Sequence, residues 1–426
     1  MQQSRVKRRE RQKKRRRKQF FLTAAGLAAS AALAVCAWWL WSGKANALLS
    51  GLLSAEGAEP EPVEIRPAPP RPDPPIRQEG DGGAGQPPEG GEQLRVRLAF
   101  VGDILLGGNV EKMMMKHGYD YPYAHVSGYL QSVDIAAGNL ENPVTSRGTP
   151  QEKQFVFRAS PDAVPALAES GFDLLSLANN HSLDYGPEGL KDTAALLDRH
   201  GLRYVGAGAD AEEAFRPVIV EKNGIKVAYL GFSRVIPDTS WHAGKNRPGL
   251  AGTYDVRKPA EAIAKAAEEA DLVVVLVHWG VERMSLPEKY QQQLGRQYID
   301  AGADLVVGSH PHVLQGFETY KGKWIAYSLG NFIFTVGRHA ATAQTAILEA
   351  DCGAMGDCLL TVKPHHAGAA QPYPMGEEES RQLYARLSEI SYNAVVDDGG
   401  GIRPADGPAA DWESYWEKGK SKEEPE

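Results

Sequence analysis

Five apolar runs in this chain each end in side chains that could bind a metal ion, and this pattern restricts the possible folds more than any other feature. The runs cover residues 98–101, 135–138, 174–178, 272–277 and 305–307, and they precede Gly102-Asp103, Asn139-Leu140-Glu141, Asn179-Asn180-His181, His278-Trp279-Gly280 and Gly308-Ser309-His310-Pro311-His312. Short apolar runs of this kind are typical of buried strands. In open α/β sheets, ligands bind just beyond the carboxyl ends of the strands. We therefore expect the five ends to meet at one site.

The side chains at these ends indicate a metal centre. A single histidine after a strand is more often a hydrogen-bonded structural residue, but the coincidence at five ends favours a metal-binding or catalytic cluster. The candidate ligands offer carboxylate, amide and imidazole atoms, and they are Asp103, Glu141, Asn180, His278, His310 and His312. They suit one or two divalent ions, such as Mn, Fe or Zn, and Glu141 would bridge a pair. His181 adjoins Asn180 and is the candidate catalytic residue, as general acid for a leaving group.

Charge is distributed unevenly along the 426 residues. Residues 1–18 carry eleven Lys or Arg and one acid, about +10, so the rest of a chain with net charge −7 sums to −17. The following segment, 19–42, contains an uncharged apolar run at 20–41. Roughly 22 residues at a rise of about 1.5 Å cross a bilayer core. By the positive-inside rule, we expect a single-pass protein of the cell membrane with a cytoplasmic N-terminus and an extracellular C-terminal domain.

Two alternatives for the N-terminal region stay open. Ala45-Asn46-Ala47 resembles a signal-peptide cleavage site, although the apolar run is longer than is usual for a signal peptide. A basic head of this kind could also contact nucleic acid. Its position beside an apolar segment favours contact with anionic lipid instead, so no nucleic-acid partner is predicted.

The remaining sequence divides into a linker, a folded domain and a tail. Residues 43–93 are rich in Pro, Gly and Glu and are predicted to form a disordered linker. The domain is predicted over residues 94–396, and a polar tail over 397–426. Helix-like segments at 161–170, 187–200, 258–270 and 288–301 alternate with the apolar runs, which predicts an α/β fold. Cys352 and Cys358 could close a small disulfide loop outside the cell, but the sequence leaves this pairing open.

The five polar blocks together resemble the signature blocks of the CapA family, the poly-γ-glutamate capsule synthesis proteins, which are related to calcineurin-like metallophosphoesterases. Their order and spacing agree over roughly residues 95 to 335, and Asp184-Tyr185-Gly186 and Ser328-Leu329-Gly330-Asn331-Phe332 are similar to further blocks. The resemblance implies a four-layer αββα sandwich, preceded by one N-terminal transmembrane helix. It also implies that Asp103 and His312 hold one metal, that Asn180, His278 and His310 hold the other, and that Glu141 lies between them.

One position departs from the pattern of the related enzymes. Calcineurin-like phosphoesterases begin with Asp-x-His, whereas Leu105 stands two positions after Asp103, so one ligand of the first site is missing. Arg158 follows a strand-like run and is a candidate for binding an anionic substrate group, with a surface arginine or a structural ion pair as the alternative. Glu282 follows His278 and is either an outer neighbour of the metal or a solvated carboxylate.

Two functions follow from these expectations. The first is a membrane-anchored, extracytoplasmic, metal-binding component of poly-γ-glutamate capsule synthesis or export. Its partners would be membrane-embedded synthase or export subunits and poly-γ-glutamate or another anionic envelope substrate. The second is an autonomous metal-dependent phosphoester hydrolase that acts on a cell-envelope substrate. The fold alone does not decide between them.

Overall fold

The structure, a computed structural model, describes residues 94–336 and 339–406. The predicted basic head, anchor and linker lie outside the described residues, as does most of the predicted tail. Among the residues that are described, no helix is both long enough and apolar enough to cross a membrane.

The described residues form a mixed α/β fold. In chain order, its strands are β1 (Arg95–Ile104), β2 (Ile135–Leu140), β3 (Leu174–Ser176), β4 (Arg203–Val205), β5 (Ala207–Gly208), β6 (Val218–Lys222), β7 (Ile225–Ser233), β8 (Gly249–Leu250), β9 (Leu272–His278), β10 (Leu305–Ser309), β11 (Phe317–Tyr320), β12 (Lys323–Ala326), β13 (Asn331–Ile333), β14 (Gln344–Gly353), β15 (Cys358–Gly368), β16 (Gln371–Pro374), β17 (Ala394–Val396) and β18 (Gly401–Pro404). Its α-helices are α1 (Asn109–His117), α2 (Ser127–Leu130), α3 (Ala163–Glu169), α4 (Gly186–Arg199), α5 (Ala211–Phe215), α6 (Arg257–Glu269), α7 (Lys289–Asp300) and α8 (Glu377–Glu389).

Two large sheets form the centre of the molecule. The first has ten strands with the main order β17-β18-β15-β14-β1-β2-β3-β4, while β13 pairs with β1 and β16 pairs with β15. Strands β1 to β4 run parallel to one another, and β14 to β18 add to them antiparallel. The second sheet has the order β11-β12-β10-β9-β7-β6, with β7, β9, β10 and β12 parallel. Each sheet therefore has a parallel centre, the arrangement that gathers strand ends at one edge.

The burial of alternate residues explains how the layers stack. Along β1, Leu98 and Phe100 belong to a core that also contains residues of the second sheet, whereas Ala99 and Val101 face α1 to α4. Residues of β9 divide in the same way, with Val274 in the shared core and its neighbours facing α6 and α7. Strand residues alternate between faces, so the layers run helix, sheet, sheet, helix.

The predicted elements are present with small shifts at their ends. The four predicted helices correspond to α3, α4, α6 and α7. The sequence Lys222-Asn223-Gly224 between two strand-like runs predicts a hairpin. Strands β6 and β7 form it, and the turn residues Asn223 and Gly224 both have positive φ, 52° and 77°, as a two-residue hairpin turn requires. The domain is predicted to end at residue 396. Strand β18 lies beyond it and pairs with β15 and β17, because Ile402 is buried in the shared core.

Candidate metal centre

The first sheet contributes three of the strand ends that form the site. Asp103 near the end of β1 is paired with Asn139 of β2, and Asn139 is paired with Ser176 at the end of β3. Glu141 follows β2 directly, and the turn after β3 carries Asn180 and His181. Because these parallel strands end in register, their polar side chains share one edge of the sheet.

The second sheet contributes the histidines. His278 is the last residue of β9 and is paired with Ser309, the last residue of β10. His310 and His312 occupy the turn that follows β10. The ring centroids of His278 and His310 are 4.7 Å apart, and those of His310 and His312 are 5.8 Å apart. Strand β9 and the turn after β10 therefore place three imidazole rings next to one another.

The candidate ligands fall into two groups, and within each the potential ligand atoms lie within 4.8 Å of one another. One group is Asp103, Glu141 and His312, and the other is Glu141, His278 and His310. Asn180 joins the second group, since its Oδ1 lies 2.9 Å from His278 Nε2. Glu141 is common to both groups, as a bridging ligand would be. The structure thus brings together all six side chains, in the grouping that the resemblance implies, while their role as ligands remains a prediction.

The absence of hydrogen bonds at two buried atoms of this cluster bears on whether a metal ion fits there. Glu141 is 1% exposed and His310 is 5% exposed, yet Glu141 Oε1 and His310 Nδ1 have no hydrogen-bond partner. A buried polar atom without a partner is costly, and a buried carboxylate even more so. A divalent cation between these atoms would satisfy both. The donor set of carboxylate, amide and imidazole therefore fits one or two such ions.

The shifted pKa values of two of the histidines are consistent with binding of a metal ion. Burial lowers the pKa of His278 well below its usual value and lowers the pKa of His310 to about 3. Both rings are therefore neutral at physiological pH, the form in which imidazole binds a metal. Burial also acts to lower the pKa of His312, but the neighbouring Asp103 carboxylate outweighs it and raises that pKa.

The two carboxylates of the cluster repel each other. Burial, followed by the charge of Asp103, raises the pKa of Glu141 well above its usual value. Burial also acts to raise the pKa of Asp103, but the hydrogen bond and charge of His312 prevail and lower it. Two acids held this close in a buried site favour a cation between them.

Neighbouring polar side chains orient the candidate ligands. Asn139 Nδ2 donates to Asp103 Oδ1 at 2.9 Å and to Glu141 Oε2 at 3.2 Å. Ser309 Oγ lies 2.9 Å from His278 Nδ1, and Asn331 Oδ1 lies 2.9 Å from His312 Nδ1. Partners of this kind fix ring orientation and raise the basicity of the ligands.

The turn after β10 has strained backbone geometry. His310 and His312 have φ values of 99° and 58°, a region that residues other than glycine rarely adopt. A Cβ on Gly308 would lie 2.0 Å from the backbone oxygen of Tyr327 and 2.4 Å from Trp279 Nε1, so only glycine fits there. Strain of this kind persists where the surrounding structure enforces it, and it concentrates at functional sites.

His181 has a different environment from the other histidines. Its Nδ1 lies 2.7 Å from Asp184 Oδ2 and 3.1 Å from Lys153 Nζ, and Lys153 also donates to Asp184 Oδ1 at 2.7 Å and to the backbone oxygen of Asn180 at 2.6 Å. Burial lowers the pKa of His181 and that of Lys153. Because Nδ1 is engaged, Nε2 is the nitrogen left for a ligand.

Sequence reasoning missed the contribution of Lys153 and assigned no role to Asp184. The i,i+3 spacing of His181 and Asp184 was a usable signal, since the backbone N–H of Asp184 donates to the carbonyl of His181 in a tight turn. Lys153 offered no such signal, because it reaches the site from a long loop after β2.

A cavity of about 480 Å³ opens onto the cluster. The residues that line it are Leu105, Glu141, Phe155, Phe157, His181, Glu282, Arg283, His312, Asn331, Phe334, Thr335, Val336, His339 and Thr342. Arg158, the predicted substrate-binding residue, is exposed and packs on the ring of Tyr185, with its guanidinium carbon 4.6 Å from the ring centroid. Among the described residues that line the cavity, the arginine is Arg283. Arg158 is not one of them, and its role in substrate binding stays a prediction.

Comparison with protein families gives one match over the region that carries the site. Residues 97–336 match the family described as bacterial capsule synthesis protein PGA_cap. This interval contains all six candidate ligands and His181.

Individual relatives agree with that match. The chain is 37% identical over 306 residues to the capsule biosynthesis protein CapA of Bacillus anthracis, covering 70% of this chain and 74% of that protein. It is 37% identical over 288 residues to the PGA biosynthesis protein CapA of Bacillus subtilis (strain 168), covering 67% of this chain and 75% of that protein. A solved structure of a hypothetical protein from Thermus thermophilus aligns with a TM-score of 0.42 and 18% identity over 65% of this chain and 100% of that one.

Proposed function

Because the chain belongs to the bacterial capsule synthesis protein family PGA_cap, we propose that it takes part in poly-γ-glutamate capsule synthesis or export. In this proposal it is a membrane-anchored component whose folded domain lies outside the cell and carries a divalent-metal centre. Its partners are membrane-embedded capsule synthase or export subunits, and its ligand is poly-γ-glutamate or another anionic envelope polymer.

Two features support the proposed topology. The basic residues 1–18 followed by the apolar run 20–41 are what a single-pass anchor with a cytoplasmic N-terminus requires. Cys352 and Cys358 form a disulfide bond in the folded domain. Stable disulfides belong to oxidising compartments outside the cytoplasm.

The observation that carries the metal centre is the buried Oε1 of Glu141, which accepts no hydrogen bond and lies between two groups of histidine and carboxylate side chains. In the proposal, Asp103 and His312 hold one ion, Asn180, His278 and His310 hold the other, and Glu141 bridges. Oxygen and imidazole donors in this mixture suit Mn, Fe or Zn.

The chain's own residues define what the cavity can do. An ion bound at its floor would polarise an anionic or carbonyl oxygen of a ligand. Arg283 lines the same cavity and supplies a cationic group for a carboxylate or phosphate. Phe155, Phe157 and Phe334 add apolar surface to the lining of this cavity. This cavity could therefore bind an acidic polymer locally, even though the net charge of the domain is negative.

The test is capsule production in the host strain. Deleting the gene should lower cell-bound poly-γ-glutamate, and wild-type protein should restore it. The double variant His310→Ala/His312→Ala should lose at least one equivalent of metal and fail to restore capsule, while its circular dichroism stays that of the wild type. His125→Ala is the control, because His125 is exposed and outside the cluster.

Each component of the proposal can fail separately in this experiment. Normal capsule in the deletion strain would overturn the capsule role. Full restoration by the double variant would separate capsule production from the metal centre.

A second candidate function is an autonomous metal-dependent hydrolase of phosphoesters, and one observation favours it. His181 lines the cavity beside the candidate ligands while Asp184 and Lys153 engage its Nδ1. That arrangement leaves Nε2 able to hold a proton near a leaving group. Turnover of a generic phosphoester by the purified metal-loaded chain, abolished in His310→Ala/His312→Ala, would support this function. Absence of turnover on any phosphoester tested would favour capsule assembly alone.

A further inference from the structure

The loop that follows β7, residues 234–253, is basic in a chain that is acidic as a whole. It contains three cations, Arg234, Lys245 and Arg247, and a single acid, Asp238, so its net charge is 3 − 1 = +2, against −7 for the entire chain. The carboxylate of Asp238 accepts a hydrogen bond from the backbone of the short turn that follows it. The acid of this loop is therefore already engaged, and the three cations lie on a surface with little negative charge of its own.

These three cations have no acid partner. Within the part of the chain that the structure describes, Arg234, Lys245 and Arg247 form no ion pair. Exposed arginines elsewhere behave differently, since Arg147 and Arg257 each pair with an aspartate. A local patch of positive charge that the protein itself does not neutralise raises the concentration of anions at that surface.

The loop begins beside the candidate metal centre. Ser233, the last residue of β7, is paired with the candidate ligand His278 at the end of β9. The backbone N–H of Arg234 donates to the carbonyl of His278 at 2.8 Å. Further along the loop, Trp241 is buried, and Lys153 Nζ lies 5.3 Å from the centroid of its ring. The loop therefore adjoins the site at two points.

The guanidinium of Arg234 is held by two tyrosine rings. Its guanidinium carbon lies 4.0 Å from the ring centroid of Tyr254 and 5.5 Å from that of Tyr290. The backbone N–H of Gly280 donates to the hydroxyl of Tyr290 at 2.6 Å, three residues before Arg283 of the cavity lining. A guanidinium stacked on aromatic rings keeps its N–H groups available for a carboxylate and loses little freedom when it binds one.

Arg234 lies outside the cavity that Arg283 lines, which has a volume of about 480 Å³. A cavity of this size holds a small ligand, so a ligand that contacts both arginines has to extend beyond it. A polymer can do so, whereas a single glutamate or phosphate cannot. The pair of arginines therefore favours an extended polyanion over a small one.

We propose that the loop 234–253, with Arg234 as its fixed cation, is a second binding subsite for the acidic polymer and continues from the cavity along the same edge of the second sheet. This inference rests on the proposed function and deepens it, because it takes poly-γ-glutamate as the ligand of that site. Arg283 binds a carboxylate inside the cavity, while Arg234 and Arg247 bind carboxylates further along the polymer. Each contact is weak by itself, and their combination holds the polymer.

The test measures binding to the full chain in detergent by isothermal titration calorimetry. The probes are γ-glutamyl-glutamate, which is small enough for the cavity, and an oligomer of about twelve γ-linked glutamates, which extends beyond it. Arg234→Gln should weaken binding of the oligomer by about fivefold, the scale of an exposed ion pair, and should leave the affinity for γ-glutamyl-glutamate unchanged. Adding Arg247→Gln should weaken binding of the oligomer further. Arg234→Lys keeps the charge and should retain most of the affinity.

Arg203→Gln is the matched control, because Arg203 is exposed at the first residue of β4 and therefore lies at the opposite edge of the first sheet. It should bind both probes as the wild type does. Wild-type affinity of Arg234→Gln/Arg247→Gln for the oligomer, or equal weakening of both probes, would overturn the subsite and leave the cavity as the whole of the binding site. A wild-type chain that binds neither probe would overturn poly-γ-glutamate as the ligand, and this inference with it.

Discussion

At the residue scale, His181 differs from the other histidines of the cluster in what its ring contacts. Asp184 and Lys153 engage its Nδ1, whereas its side chain lines the cavity. If the chain hydrolyses an ester, His181→Ala should lower kcat by about 10²–10⁴-fold, the usual contribution of general acid catalysis. Metal content should not change, because no candidate ligand is removed. Activity on a phosphoester and metal analysis of the same preparation measure both effects.

Asn180→Ala is the complementary change. The Oδ1 of Asn180 lies against His278 Nε2. Removing it should therefore weaken metal binding, in contrast to His181→Ala. A His181→Ala variant that turns over substrate at the wild-type rate would exclude His181 from the chemistry.

The two arginines near the site make a paired prediction. Arg283 lines the cavity, whereas Arg158 packs on Tyr185 at the surface. Arg283→Gln should weaken the binding of glutamate or phosphate to the metal-loaded chain by roughly fivefold, the scale of an exposed ion pair, and Arg158→Gln should not change it. Isothermal titration calorimetry measures both. The reverse result would identify Arg158 as the anion-binding residue, as the sequence predicts.

How much of the site could be predicted depends on where each residue lies relative to a strand end. Asp103, Glu141, His278 and the histidines after β10 lie at or just beyond the ends of buried strands, so the apolar runs located them. Lys153 could not be found this way, since its loop position carries no periodic signal. The distinction between Arg158 and Arg283 depends on the course of two loops, which the sequence does not specify.

At the element scale, the strained turn after β10 depends on Gly308. Gly308→Ala would place a Cβ 2.0 Å from the backbone oxygen of Tyr327. Backbone cannot move aside as a side-chain tip can, so we expect a loss of about 1–3 kcal/mol in the free energy of unfolding. The displaced turn should also lose metal affinity. Gly128→Ala in α2 is the control, because a Cβ there meets nothing within 4 Å.

Urea unfolding and Mn²⁺ titration of both variants measure these effects. Wild-type stability and metal affinity in Gly308→Ala would show that the turn tolerates a different backbone path and that the close approach does not hold His310 in position.

The sequence predicted the elements better than it predicted their arrangement. Buried parallel strands are continuous apolar runs, so β1, β9 and β10 were evident, and the Asn223-Gly224 turn identified its hairpin. Strands β16 to β18 were not predicted, because they are short and lie at the edge of the first sheet. Strands β16 and β18 pair with β15, and β17 pairs with β18, so their formation depends on a neighbouring strand rather than on their own composition.

At the scale of the whole molecule, the disulfide and the candidate metal centre lie at opposite ends of β1. Cys352 is paired with Val96 near the start of β1, and Asp103 lies near its end, roughly 20 Å away at the rise of an extended strand. Cys352→Ser/Cys358→Ser should therefore lower the free energy of unfolding by about 2 kcal/mol, from loss of a small closed loop, without changing metal content. Reductant should have the same effect on the wild type and none on the variant.

The last prediction concerns the membrane topology of the protein. A head with a net charge of about +10, before an apolar run long enough to span a bilayer core, is expected to resist translocation. The acidic remainder of the chain, with its disulfide, should then face outward. Protease added to intact protoplasts should therefore digest the described domain, while a cytoplasmic marker stays intact until detergent is added. Full protection of the domain would overturn the topology. A mature N-terminus near Leu48 would instead identify a cleaved signal peptide, which exports the domain but leaves it without an anchor. An outward domain that also loses its membrane association would then have to reach the synthase subunits through its folded surface alone.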